Sequence, residues 1–356
     1  MIKRRNLVSA AGAVLLCLLG YLQMRTWKRF DWHVFWLTTH QVNKLYIGLA
    51  IAIVYLLVVL RALRWRIFLR PIRETSVSRL IAPQFIGFAS VAMLGTPGDM
   101  IRPYLIARKE DLTFSSQVAV WLVERIFDLG SAAILFALEG FVGDPLWAKF
   151  ESDGFHHSGT LQTTTEFSAG VFLAGVVVLT VGAVVLRRTG AAVASYLGRT
   201  VEPLSAKLAR GVSSKVLAFT EGLQTIHDFP SFLQLSFLSM VIWVLTGVTF
   251  WLVVHAYGGQ SAQLGPASIV LLMVVSMFGS LLQLPVVGGG SQLATIVLLN
   301  RVFHIDNETA VSCAMLLWVV AYMSVIPAGL WMARREHVSL RALAAAEEKA
   351  EAAMAT

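Results

Sequence analysis

Residues 95–130 read GTPGDMIRPYLIARKEDLTFSSQVAVWLVERIFDLG. The stretch sets Pro97, Gly98, Asp99 and Arg102 between two apolar segments, then puts Glu124, Arg125 and Asp128 inside the second of them. An ionisable group at membrane depth is costly unless it is paired or lines a wet cavity, so the cluster reads as a functional site. The bland alternative is a salt-bridged knot that ties helices together.

Composition identifies the solvent around that stretch. The chain is 56% hydrophobic and 14% charged, with a mean hydropathy of +0.69, and its apolar runs are long enough to cross a bilayer. An all-α, polytopic helical membrane protein is expected. The formal charge of +8 sits in short basic clusters beside apolar runs. Clusters so placed act as orientation signals and headgroup contacts, so nucleic acid is not an expected partner. Cys17 and Cys313 lie in apolar runs and give neither a disulfide framework nor metal-ligand spacing. His156 and His157, near Glu151 and Asp153, belong to a polar loop and read as solvated rather than as metal ligands. No phosphate loop, nucleophile elbow or zinc-protease helix is present, and no metal or cofactor is expected.

Outward from residue 95 the chain divides by charge. Residues 1–5 are basic and 7–24 apolar, with no small-residue cleavage site before Arg25, Trp27, Lys28 and Trp32, so a retained first helix is expected. Residues 45–60 form the next span. Arg61, Arg64, Arg66, Arg70, Arg73 and Arg79 follow, opposed by Glu74, and predict a cytoplasmic loop in which Arg64 and Trp65 mark the interface and contact anionic headgroups. The loop 139–167 is acidic and belongs outside. That parity requires residues 80–94 to enter part way, turn at 95–98, and return Arg108 and Lys109 to the cytoplasm. Such a turn is non-helical backbone at membrane depth, tolerated where it is buried in protein or faces a cavity.

Residues 168–186 then cross inward. The basic segment 187–230 carries apolar residues at helical spacing and predicts interfacial helices. Residues 231–255 cross outward and 267–284 head back to a second break, LPVVGGGSQ at 284–292. The apolar run 293–303 is too short to span, so a second re-entrant region is expected before a last span at 309–332. The count is about six full spans plus two re-entrant hairpin regions, with a transmembrane domain over 1–336, a cytoplasmic helical tail over 337–356 and both termini cytoplasmic. The basic loop 25–44, left outside, runs against the rule.

The two breaks share a pattern. Phe88-Ala89-Ser90 precedes the first and Phe278-Gly279-Ser280 the second, and each leads through an apolar half-segment and a polar cap to a helix with a tryptophan, Trp121 or Trp318. Inverted repeats with paired interrupted segments point to an alternating-access site. Arg64-Trp65, the run GTPGDMIRPYLIARK, the helix VAVWLVERIFD and the later LPVVGGGSQ together resemble the lysylphosphatidylglycerol synthase transmembrane, or flippase-like, family over residues 45–332. The resemblance implies a polytopic fold without catalytic metal or cofactor, associated with moving lipid or lipid-linked cargo between leaflets. Two-domain members add a soluble aminoacyl transferase; this sequence ends soon after Arg335, so synthase activity is not expected. It departs from the family in having Asp99 for the usual glutamate after Gly98, and Gln292 where a glutamate is common.

Arginine supplies a fork for bidentate contact with a lipid phosphate, which makes Arg102 and Arg125 the candidates. Asp99, Glu124 and Asp128 would hold those groups in the empty state, and the i, i+4 spacing puts Glu124 and Asp128 on one helix face. Pro97, Gly98 and Tyr104 line the first break, and Pro285, Gly288, Gly289, Gly290 and Gln292 the second. The expected reading is a non-enzymatic lipid translocator of the cell membrane, with membrane lipid and envelope-lipid biosynthesis enzymes as partners. An intramembrane transferase using Asp99 or Glu124, or a scaffold, are the other readings.

Overall fold

Asn43 accepts hydrogen bonds from the backbone of Leu45 and Tyr46 and starts the helix on which the bundle is built. A computed structural model describes residues 31–142, 228–280 and 289–336, with scattered residues between 177 and 220. The expected first helix, most of the loop 139–167, Pro285, Gly288 and the tail after Glu336 lie outside the described residues, as does most of the basic segment. All elements among the described residues are helical.

After α1 (Trp32–Gln41), α2 runs over Lys44–Leu69 for 26 residues, about 39 Å at 1.5 Å per residue. The expected span stopped at Leu60 and gave Arg61, Arg64 and Arg66 to a loop; the helix instead carries all three. Arginine is a good helix former, and nothing between Leu60 and Leu69 breaks the ladder before Pro71, which has no N–H to continue it.

The first break is a helical hairpin. Helix α3 (Val77–Leu94) ends at Gly95, whose φ of 76° suits glycine, and a 3-10 turn over Thr96–Met100 leads into the short α4 (Ile101–Lys109). Arg79, near the start of α3, donates to Glu110 Oε1 and to the Lys109 carbonyl at the end of α4, each at 2.8 Å, so the chain leaves the hairpin where it entered. Helix α5 (Phe114–Val142) follows, 29 residues long.

Helix α6 (Phe229–His255) packs along α2 in the opposite direction. The Asn43 N–H meets the Ala256 carbonyl at one end of the pair, and Arg70 meets Gln234 at the other. Helices α7 (Pro266–Gly279) and α8 (Gly290–Val297), the latter continued by a π-turn over Leu298–Val302, flank the second break and pack on each other. Asp306 caps α9 (Asn307–Ala321). The last span expected at 309–332 is present as one apolar stretch over Asn307–Arg335, with a 3-10 turn at Met323–Val325 between α9 and α10 (Ile326–Arg335), where Pro327 lacks the N–H an unbroken ladder needs.

The hydrogen bonds sort the ends of the helices onto two faces. Asn43 and Ala256 share one with the start of α9, because Tyr257 and Thr39 both bond Ser312, and the Asp31 N–H meets Glu308. Arg70, Arg79, Glu110 and the Lys109–Glu336 ion pair occupy the other, hereafter the basic face. The hairpin α3–α4 opens on the basic face. The pair α7–α8 begins after the turn at Gly258–Gly265 and ends beside Asp306, so it opens on the opposite one. The two largest apolar clusters lie along the bundle: Val54, Leu252, Leu272, Leu299 and Leu317 toward the opposite face, and Trp65, Phe68, Val120, Leu235 and Ile242 toward the basic one.

Candidate functional site

Helix α5 lies between α4 and α6 and also touches α7, so a charge on its inner side is packed among helices. Glu124 is that charge, with no exposed surface. Its carboxylate accepts from Arg64 Nη2 of α2 at 2.5 Å, while Arg102 Nη2 of α4 stands 2.7 Å from its other oxygen. Asp128, one turn on, takes Arg64 Nη1 at 2.6 Å. The guanidinium of Arg64, itself fully buried, thus bridges both carboxylates and donates further to Ser239 of α6 at 3.0 Å. Arg102, 2% exposed, also donates to Gln84 of α3 at 3.2 Å and stands over the rings of Trp65 and Phe88. The network joins five helices: Arg64, Arg102, Glu124 and Asp128 each meet at least two partners, while Gln84 and Ser239 hold it from α3 and α6 by one hydrogen bond each.

Its rim is more open. Arg125 keeps a side-chain exposure of 36%, lies 3.2 Å from Asp128 and 3.6 Å from Glu124, and covers the ring of Trp121. Asp99, in the hairpin turn, accepts from the Trp121 indole at 3.2 Å and lies 3.8 Å from Arg102. The Trp243 indole approaches Asp128 at 3.3 Å.

The structure brings Asp99, Arg102, Glu124, Arg125 and Asp128 together and adds Arg64 at their centre. Arg64 and Trp65 were expected at the membrane interface, yet neither has exposed surface. The continued helix turns them inward, leaving Arg66 and Arg70 exposed. Gly98 acts through packing: a Cβ there would meet the Ser90 backbone at 2.5 Å. Pro97 lies in the same turn. Tyr104 sits apart, its ring edge-on to Phe114. At the second break, Gly289 and Gly290 begin α8, Gly290 presses its carbonyl on Gly279, and Gln292 is buried on the same helix. None of these three has a hydrogen bond or ion pair to the arginine–carboxylate network among the described residues. Sequence reasoning missed Gln84, Ser239 and Trp243; the signal for the first two was a polar residue inside an apolar run.

Helices of spanning length and apolar character, closed round a buried arginine–carboxylate network, define a polytopic integral membrane protein. The family model described as "Lysylphosphatidylglycerol synthase TM region" matches residues 7–329, and the chain belongs to that family. No curated protein and no solved structure matches it.

Proposed function

We propose that the protein is a lipid translocator that moves an anionic phospholipid or a polyprenyl-linked cargo between the leaflets of the cytoplasmic membrane. The observation that carries this reading is the ion network at the turn of the hairpin. Arg102 and Asp99 belong to α4 and the turn, while Glu124, Asp128 and Arg64 belong to the long helices behind them. Ion pairs that clip a hairpin to its neighbours make a latch, because an anionic headgroup competes with the carboxylates for the guanidinium groups. Two hairpins that open on opposite faces offer such a latch alternating access. The basic face, with Arg66, Arg70, Arg108 and Arg335 exposed, is the cytoplasmic one in this reading. Envelope-lipid biosynthesis enzymes are its natural suppliers.

The test is transbilayer movement of fluorescent phosphatidylglycerol and polyprenyl-phosphate probes in liposomes holding the purified protein. The wild type moves at least one probe, and Arg102→Ala and Asp99→Asn, each checked for folding by gel filtration, lose most of that movement. Wild-type protein as inert as empty liposomes, or variants as fast as wild type, overturns the reading. Appearance of a chemically altered lipid argues for an intramembrane transferase instead.

A further inference from the structure

Arg61 lies one turn before Arg64 on α2 and is half-buried. Its guanidinium rests on the ring of Phe88, 4.7 Å from the centroid. The other guanidinium groups of the cluster each have a carboxylate partner. Arg61 takes part in no ion pair or hydrogen bond among the described residues. The charges that act on it most strongly are Asp128, Arg64, Glu124 and Arg102. Both carboxylates are already engaged, Glu124 by Arg64 and Arg102, Asp128 by Arg64 and Arg125. Among the described residues, four guanidinium groups, those of Arg61, Arg64, Arg102 and Arg125, therefore stand with the three carboxylates of Asp99, Glu124 and Asp128, and the cation left over is Arg61. An uncompensated cation in a bilayer is costly to keep, so it marks where an anion from outside the chain binds.

Position says which side that anion comes from. Arg61 stands eight residues before the end of α2 at Leu69, about 12 Å at 1.5 Å per residue, and so within two turns of the exposed Arg66 and within three of Arg70 on the basic face. Tyr322, at the break between α9 and α10, is in electrostatic reach of both Arg61 and Asp99, and the turn that follows it packs on α2 and α3. Non-helical backbone at this depth is tolerated beside a wet cavity or inside protein. We infer that Arg61 takes a phosphate group arriving from the basic face, carried by a lipid headgroup or free, before Arg64 or Arg102 leaves its carboxylate. The inference rests on the translocation reading and moves headgroup capture from Arg102 to a residue outside the latch.

The experiment is binding of dioctanoyl phosphatidylglycerol, dioctanoylglycerol and inorganic phosphate to the full chain in detergent, by titration calorimetry, with Arg61→Gln, Arg61→Lys and Arg66→Gln. Wild type binds the phosphatidylglycerol and not the neutral glyceride. Arg61→Gln weakens that binding about tenfold or more, as loss of a hydrogen bond to a charged group does. Arg61→Lys recovers part of it, and Arg66→Gln, which removes a charge from the exposed side of the same helix, changes little. Inorganic phosphate binding with similar affinity makes free phosphate the ligand, and no binding of it makes the lipid the ligand. Equal binding by Arg61→Gln and wild type overturns the inference, as does equal weakening by Arg61→Gln and Arg66→Gln. A melting temperature for Arg61→Gln several degrees below wild type makes Arg61 structural and overturns it too. If lipid binds through Arg61 but no probe crosses liposomes, translocation fails and the binding site stands; if probes cross at the wild-type rate in Arg61→Gln, the reverse holds.

Discussion

Glu124 meets the buried Arg64 and Arg102, with Arg125 further off at 3.6 Å, whereas Asp128 meets Arg64 and the more open Arg125, so the two acids are not equivalent. Glutamine at 124 leaves Arg64 and Arg102 short of their common counter-charge in the driest part of the bundle. Removing one partner of a buried pair costs about 3–5 kcal/mol, because the other is left uncompensated. Asparagine at 128 costs less: Arg64 keeps Glu124, and Arg125 has water on its open side. The melting temperatures in detergent should therefore fall in the order wild type, Asp128→Asn, Glu124→Gln. A reversed order would mean that Glu124 is not the hub. The sequence exposed these acids plainly, since charge within VAVWLVERIFD has no solvated alternative. It hid Arg64, because one member of a run of six arginines looks like its neighbours until the helix is known to continue and its phase decides which side chain turns inward.

The hairpins were legible at the level of elements, because parity of charge across the loops demanded one and LPVVGGGSQ suggested the other. Their likeness goes further than sequence alone revealed. Each return helix ends on a residue with positive φ, Asp111 at 53° and His304 at 54°, the non-glycine cases among the described residues. Around the first, the N–H of Leu112 reaches back to the Ala107 carbonyl; around the second, that of Ile305 reaches Leu299, one residue further because the helix widens into a π-turn. The close approach within each hairpin depends on missing side chains. Gly98→Ala places a methyl 2.5 Å from the backbone of Ser90, which cannot yield as a flexible side chain can, and should destabilise by about 1–3 kcal/mol. Gly48→Ala in α2 meets nothing within 4 Å and should be neutral or stabilising, by up to about 1 kcal/mol. Paired melting curves check the contrast; a Gly98→Ala protein as stable as Gly48→Ala would mean that the hairpin is looser than its packing. The last span was legible as a single stretch, but the 3-10 turn inside it went unread because Pro327 stands where a continuous apolar pattern masks it.

At the scale of the molecule, the arrangement turns on which ends share a face. Arg79 bonded to Glu110 puts both limbs of the first hairpin on the basic face, whereas a crossing α3 would deliver them to opposite sides. The difference can be read by impermeant maleimide labelling in sealed vesicles, with Cys17 and Cys313 replaced by alanine and single cysteines put at exposed positions. Cysteines at Glu74 and Arg108, before and after the hairpin, should label from the same side, and those at Gln260 and Arg301 from the other. In the proposed orientation the first pair labels from the cytoplasmic side, as positive-inside bias expects where Arg66, Arg70, Arg334 and Arg335 gather. Glu74 and Arg108 labelling from opposite sides would remove the re-entrant hairpin, and with it the latch, since Asp99 and Arg102 would then belong to a fixed span. Labelling of both pairs from the expected sides leaves the first hairpin as the one element that can loosen while α2, α5 and α6 stay packed. The ion network joins that hairpin to α2 and α5 at their inner faces, so under the proposed function the pairs of Arg102 with Asp99 and Glu124 are the ones a headgroup would have to loosen.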